Sequence, residues 1–331
     1  MITALLFIGA LVLILASAEL FTNGVEWLGR RFELGEGAVG SVLAAVGTAL
    51  PETLIPIIAI LFTGTASADE IGIGAILGAP FMLSSLAMFV TGTAVLVFAL
   101  RGRRARHVTV NEGVMRRDLS YFLLAYALAM AAGLLPLPHV KWVLSPLLLV
   151  GYGFYVYRTL QAEGDLEGET KPLYFHRHPE IPHRWRIVAQ VIVATLGMIA
   201  GAKIFVDQVN EISLAIGADA LVISLLISPI ATELPEKFNS VLWVRQRKDT
   251  LALGNITGAM VFQSTFPVSV GLLFTAWDLS RNGLIAGLFA LISGAVFYLT
   301  LRLKHTLTWW SLCGAGTMYA AYIVYVLLFV V

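Results

Sequence analysis

The chain has 331 residues, of which 58% are hydrophobic and only 13% are charged. Its mean hydropathy is +0.83. So few charges cannot cover a water-soluble surface, which excludes a cytosolic enzyme, a nucleic-acid-binding protein and a disordered chain. A polytopic membrane protein remains, with the lipid bilayer as its surroundings.

Ten apolar segments long enough to cross a bilayer follow one another along the chain. They cover residues 2–29, 38–62, 71–100, 119–135, 141–160, 187–214, 219–243, 250–277, 283–301 and 306–331. Long apolar runs indicate helices, because the strands of a membrane barrel would alternate apolar and polar residues. The sequence therefore predicts an all-α protein with ten transmembrane helices.

Basic residues are concentrated at one end of these spans. Of the 22 Lys and Arg residues, 18 lie in or beside the loops that follow the odd-numbered spans, whereas only Lys141 and Arg281 lie in the opposite loops. Because basic loops stay in the cytoplasm, we expect a multi-pass protein of the plasma (inner) membrane with both termini outside.

The sequence contains an internal repeat. Residues 19–52 align with residues 203–236 at a shift of 184, and each copy ends in the pattern T-x-x-P-E. A Gly-rich segment follows each copy, GIGAILGA at 72–79 and ALGNITGA at 252–259. Each copy covers five spans, and an odd number of spans inverts the second copy in the membrane. Inverted repeats are typical of transporters, whose ion sites lie at the midplane where the repeats meet.

The repeat predicts the domain organisation. We expect a first inverted repeat at 1–161, a cytoplasmic linker at 162–186 and a second inverted repeat at 187–331.

Acidic residues inside the spans are the candidate functional groups, since burying them in a membrane is costly. Glu52 and Glu236 end the two T-x-x-P-E patterns, and Glu233 lies beside the second. The proline before each terminal Glu removes a backbone donor and frees a carbonyl one turn earlier. Thr48 and Thr232 lie four residues before those glutamates, on the same helix face.

These groups are hard oxygen donors, which suit Ca²⁺, Mg²⁺, Mn²⁺ or Na⁺. The alternative is that the patterns are structural proline kinks, with each acid satisfied by a neighbour such as Lys237. The sequence leaves the roles of Glu233 and Lys237 open.

At these residues the chain resembles the Ca²⁺/cation antiporter superfamily, the sodium/calcium exchanger family. Its signature is a twice-repeated G-T-S-x-P-E, each followed by a helix of the type G-N-x-x-G-S-N. The corresponding segments here read GTALPE at 47–52, ATELPE at 231–236, GAILGAP at 74–80 and GNITGAM at 254–260. The resemblance implies two inverted five-helix repeats and a secondary active antiporter that moves Ca²⁺, or another divalent cation, against Na⁺ or H⁺ by alternating access.

The resemblance also implies a set of metal ligands. Glu52 and Glu236 match the principal Ca²⁺ ligands, and Glu233 adds a third acid. Neutral oxygens would come from Thr48, Thr232, Asn255 and Gln263. The family's serines, which contribute to sodium sites, are replaced by Ala49, Glu233, Ala79 and Ala259, and its polar position in the first Gly-rich helix is Leu83.

Those replacements favour one alternative, a proton-coupled exchanger without sodium dependence. A non-transporting membrane scaffold is the second. An enzyme is not expected, because the chain lacks H-E-x-x-H, G-x-S-x-G and Asp-rich diphosphate motifs. We expect no cofactor, inorganic cations as partners, no nucleic acid and a monomeric chain.

Overall fold

The computed structural model describes residues 2–31, 52–63, 67–135, 138–162, 172–176 and 182–330. Helices carry the predicted spans and are numbered after them, with the letters a and b for the two halves of one span. They are α1 (Ile2–Arg31), α2 (Glu52–Thr63), α3 (Ala68–Leu100), α4 (Glu112–Leu134), α5 (Pro138–Ala162), α6 (Arg184–Ile216), α7a (Ala220–Thr232), α7b (Leu234–Arg245), α8a (Asp249–Gln263), α8b (Phe266–Phe274), α9 (Arg281–Lys304) and α10 (Trp309–Phe329).

Each of the ten predicted spans coincides with a helix or with the described part of one. Seven of the described helical segments are long and apolar enough to cross a membrane, and α2 and α7a are shorter apolar helices. The described helices agree with the predicted all-α protein and with its order of transmembrane helices. Of the second span, predicted at 38–62, the structure describes only residues 52–63.

Helices α1 and α6 cross closely in an antiparallel pair. A Cβ built on Gly201 would lie 2.8 Å from the Ile14 side chain, and one built on Gly197 would lie 2.3 Å from the Ser17 hydroxyl. The rings of Phe7 and Phe205 contact one another further along, with centroids 5.2 Å apart. Small residues on α6 therefore let these two long helices approach each other closely.

Helices α3 and α7a form a second close pair, and here the chains run parallel. The Ser224 hydroxyl donates to the Ile71 carbonyl at 2.7 Å. A Cβ on Gly74 would lie 2.3 Å from the Leu221 carbonyl oxygen. Four residues further along both helices, a Cβ on Gly78 would lie 2.2 Å from the Leu225 carbonyl oxygen. Spans 3 and 7 are both odd-numbered, so a chain that crosses the bilayer at every span runs in the same direction in both, and the parallel pair agrees with the predicted order of spans.

Three loops meet at one end of the bundle, which we call the Arg-rich end. Arg104, in the loop after α3, forms a bidentate ion pair with Asp249 at the start of α8a, at 2.6 and 2.7 Å. The same loop forms strand β1 (His107–Val108), which pairs antiparallel with β2 (Leu307–Thr308) before α10. Hydropathy does not predict this short ribbon, because its strands have only two residues each.

The described piece of the linker, residues 172–176, also lies at a helix end and is called the linker turn here. Asn23 of α1 donates to the Pro172 carbonyl at 3.3 Å and accepts from the Tyr174 backbone N–H at 3.2 Å. Gln190 of α6 accepts from the Phe175 N–H at 2.9 Å and donates to Asn23 at 2.9 Å. Both amides are buried, so the linker turn is fixed to the α1–α6 pair.

The opposite end of the bundle carries the connection between α6 and α7a. Gly217 ends α6 in the left-handed region at φ +67°, which costs glycine little. Asp219 then caps α7a by accepting from the Leu221 N–H at 2.9 Å, and its other oxygen accepts from the Asn282 amide at 3.0 Å. The start of α7a is thus joined to the start of α9 at this end, within the second predicted repeat.

Candidate functional site

Glu52 opens the described part of α2, directly after Pro51. The residue is only 6% exposed. Its helix packs on α3, where a Cβ on Gly72 would meet the Ile60 side chain at 2.5 Å and the Pro56 carbonyl at 3.4 Å. The last turn of α2, Ala59–Thr63, widens into a π-helix. The α2–α3 hairpin therefore holds Glu52, the first described residue of α2, inside the bundle.

Span 7 is broken in the middle, at Glu233. This residue ends α7a and precedes α7b, with φ −93° and ψ −33°, and its N–H donates to the Pro229 carbonyl at 2.9 Å. Pro235 in the first turn of α7b has no N–H, which leaves the Ala231 carbonyl without its usual helical donor. Glu233 is 2% exposed and Thr232 is 1% exposed. The break thus places a buried acid, a buried hydroxyl and a released carbonyl at one point.

The Gly-rich spans are also interrupted, and at corresponding positions. Span 3 passes through a π-helical turn at Leu83–Ala87, and span 8 breaks between α8a and α8b at Ser264 and Thr265. The doublet Ser84-Ser85 lies 180 residues before Ser264-Thr265, which is the shift of the Gly-rich repeat. All four hydroxyl residues are at most 3% exposed. Interrupted helices near the bundle centre are typical of transporter ion sites, and π turns are frequent at functional sites.

The first half of α3 lies between α2, which carries Glu52, and α7a, which ends at Glu233. At 1.5 Å per residue, the Gly72 contact places Glu52 near the level of Gly78 on α3. The Gly78 contact with α7a places Glu233 near the π turn of α3, about 9 Å further along the same axis. Both acids therefore lie beside one central stretch of α3, in the interior of the bundle.

The structure locates the other predicted ligands to different extents. Gln263 is the last residue of α8a and is 2% exposed, whereas Asn255 is half-buried two turns earlier on the same helix face. The Thr232 hydroxyl donates to the Ser228 carbonyl at 3.0 Å, so its oxygen lone pairs can still bind a cation. Glu236 lies in the first turn of α7b, but the side chains of residues 234–239, including Lys237, are outside the described part.

Thr48 lies outside the described residues altogether. Within the described part of the chain, no three His, Cys, Asp or Glu side chains form one cluster. That set omits the Glu236 side chain. The assignment of Glu52, Glu233, Glu236, Thr48, Thr232, Gln263 and Asn255 to one metal site therefore stays a prediction.

Sequence reasoning missed the serine and threonine residues at the helix breaks. The signal was present, since the polar doublets at 84–85 and 264–265 align at the shift of 180 that already pairs the Gly-rich segments. It also missed Asp118, a buried acid on α4 that contacts α8a. No motif marks that residue, because its partners come from three separate helices.

The profile of the sodium/calcium exchanger proteins matches residues 2–161 and 186–331, nearly the whole chain. The chain therefore belongs to the sodium/calcium exchanger family of membrane proteins. An inner membrane protein of Escherichia coli named YrbG is 25% identical over 284 residues, which are 84% of this chain and 81% of that protein.

Two solved structures share the fold. One is an H⁺/Ca²⁺ exchanger named CAX, with a TM-score of 0.75 and 17% identity, covering 98% of this chain and 82% of that one. The other is the sodium-calcium exchanger NCX_Mj, with a TM-score of 0.60 and 20% identity, covering 100% of this chain and 99% of that one. The expected family and fold are thus confirmed.

Proposed function

We propose that this protein is a secondary active antiporter that moves Ca²⁺, or another divalent cation, against Na⁺ or H⁺. The observation that carries the proposal is the pair of buried acids, Glu52 and Glu233, at helix ends in the bundle interior, 6% and 2% exposed. Ionisable groups at such a depth are retained where they bind or relay ions. Membership of the exchanger family supports the same activity.

The ion would be held mainly by Glu52 and Glu236. Two carboxylates balance the charge of one divalent cation, and oxygen donors are the ligands that Ca²⁺ prefers. Glu233 supplies a third acid next to the pair. The neutral oxygens would come from Thr48, Thr232, Asn255 and Gln263, together with the carbonyl of Ala231 that Pro235 releases.

Alternating access would be produced by the α1–α6 pair moving against the helices that bear the motifs. Its contact with those helices contains a buried apolar cluster, in which Ile14 and Phe205 pack with Ile55 and Ile71. One polar contact, between Ser67 and Asn210, lies at the start of α3. Apolar surfaces lack directional bonds, so one can slide past the other at small cost. The amides of Asn23 and Gln190 hold the pair itself together at one end.

The proposal includes an orientation in the membrane. The Arg-rich end would face the cytoplasm and both termini the outside, since 18 of 22 basic residues lie at or near the loops of that end. The plasma or inner membrane is the expected location. We expect the chain to act as a monomer.

The second candidate for the counter-ion is a proton, and the residues at the family's sodium-site positions favour it. Alanine or glutamate replaces the serines that contribute to sodium sites in the family, at Ala49, Glu233, Ala79 and Ala259. A buried acid near other carboxylates holds a proton more readily than an exposed one. The fold is compatible with either ion, since the two solved structures are named for H⁺ and for Na⁺.

Flux measured in proteoliposomes tests the proposal. We expect ⁴⁵Ca²⁺ uptake when either a Na⁺ or a pH gradient is imposed, and the effective gradient identifies the counter-ion. Glu52→Gln should abolish the uptake, and Glu112→Gln, a matched change at the partly exposed start of α4, should retain it. Absence of uptake under both gradients would refute antiport and favour the scaffold. Equal uptake by wild type and Glu52→Gln would refute the site.

A further inference from the structure

A buried carboxylate outside the proposed ion site contacts α8a, the helix that carries the predicted cation ligands Asn255 and Gln263. Asp118 of α4 is 2% exposed. Its Oδ2 accepts from the Thr257 hydroxyl of α8a at 2.8 Å, and its Oδ1 accepts from the Tyr155 hydroxyl of α5 at 3.1 Å. The Arg117 guanidinium lies 3.3 Å from the same Oδ1 and 5.4 Å above the Tyr155 ring. One carboxylate therefore connects three helices.

Thr257 lies on the back of α8a relative to the predicted ligands. At 100° per residue, Asn255, Ala259 and Gln263 form one stripe along the helix, and Thr257 points about 120–160° away from it. A hydrogen bond made by Thr257 therefore does not touch a bound cation. Instead it fixes the rotation of the helix, and with it the direction in which Asn255 and Gln263 point.

The side chain at the corresponding position of the first repeat is apolar, although its backbone carbonyl accepts from the Tyr126 hydroxyl of α4 at 3.3 Å. Leu77, which lies 180 residues before Thr257, packs its Cδ1 2.9 Å from the position of a Cβ built on Gly283 of α9. Burying a carboxylate costs free energy that only good hydrogen bonds offset. On α8a a buried carboxylate is joined to a side-chain hydroxyl, whereas the side chain at the corresponding position of α3 is apolar. This difference indicates a requirement for one particular rotation of α8a.

We propose that Asp118 is a positioning residue for cation binding, acting through Thr257 on the orientation of α8a. It holds the helix so that the side-chain oxygens of Asn255 and Gln263 face the ion. The proposal rests on the antiport function above, and it adds to that function a group that does not itself contact the cation.

Cation uptake by variants of Thr257 tests the proposal. Thr257→Val keeps the shape and removes the donor, so the KM for Ca²⁺ should rise about tenfold, the effect of one lost hydrogen bond to a charged group. Thr257→Ser restores the donor and should keep the KM within about twofold of wild type. Asp118→Asn combined with Thr257→Val should raise the KM no more than the larger single change. Thr300→Val, a matched change at a half-buried threonine of α9 that donates to the Val296 carbonyl of its own helix, is the control.

A purely structural role gives a different result. In that case Thr257→Val would lower the yield or the melting temperature and leave the KM of the folded protein at its wild-type value, which would overturn the proposal. If the wild type itself moves no cation, the antiport function fails instead.

The rotation can be measured without transport. On a Cys313→Ser background, the thiol introduced by Ala259→Cys reports how the ligand stripe of α8a is oriented. Its rate of reaction with a methanethiosulfonate reagent should change at least about threefold when Thr257→Val is added. An unchanged rate would refute the proposal even if the protein does not transport.

Discussion

The parallel crossing of α3 and α7a gives a sharp prediction, because its closest contacts are made by backbone atoms. A Cβ added by Gly78→Ala would lie 2.2 Å from the Leu225 carbonyl oxygen and 2.8 Å from a ring carbon of Pro229. Ordinary contact begins at 3.4 Å, so the two helices would have to separate by about 1 Å. Neither a carbonyl in a helix nor a proline ring can rotate away.

We expect Gly78→Ala to destabilise the protein by about 1–3 kcal/mol, the usual cost of overpacking. The control is Gly153→Ala on α5, where no described residue lies within 4 Å of the new Cβ. That change should be neutral or stabilise by up to about 1 kcal/mol, because alanine favours helix more than glycine does.

Thermal unfolding of both variants in one detergent measures the difference, with Gly78→Ala melting roughly 5 °C below wild type. Because the same crossing positions Glu233 at the end of α7a, Gly78→Ala should also slow ⁴⁵Ca²⁺ uptake per folded molecule. A melting temperature equal to that of wild type would refute the close parallel crossing.

Three further predictions concern the ends of the bundle. Arg104→Gln leaves the Asp249 carboxylate, which is 3% exposed, buried without its ion pair. This change should lower the stability measured by thermal unfolding by about 3–5 kcal/mol. The double variant with Asp249→Asn should lose less stability than the sum of the two single changes. The hydrogen bond from His305 lowers the pKa of Glu112 below its usual range. The stabilisation from this hydrogen bond is therefore present above that range and is lost as the pH falls through the lowered pKa. The difference in melting temperature between wild type and His305→Gln should shrink on acidification, and a constant difference would contradict this prediction. Gln190→Leu removes the amide that accepts from the linker turn, so amide hydrogen exchange there should become faster, and unchanged protection would show that other contacts hold the turn.

The sequence predicted the spans and their inverted arrangement because hydropathy and the doubled T-x-x-P-E pattern depend on local composition. It placed Glu52 and Glu233 in the bundle interior, where the structure finds both buried. The sequence also showed where the family's serines are replaced, for example by Ala79, because each position of the chain can be compared with the family motif.

The sequence could not predict contacts that join distant parts of the chain. The ion pair of Arg104 with Asp249 connects residues 145 positions apart, and Asp118 meets Thr257 across 139 positions. Such pairs follow from how the helices pack, and no periodicity marks them. The break at Ser264 was readable in principle from the aligned polar doublets, but hydropathy alone treats span 8 as one continuous helix.

Equilibrium binding of ⁴⁵Ca²⁺ to the purified protein tests the central claim most directly. The account predicts that the wild type binds one Ca²⁺ per chain and that Glu52→Gln, with an unchanged melting temperature, binds none. Retention of wild-type binding in a folded Glu52→Gln protein would contradict the account, because the divalent site would then lie elsewhere.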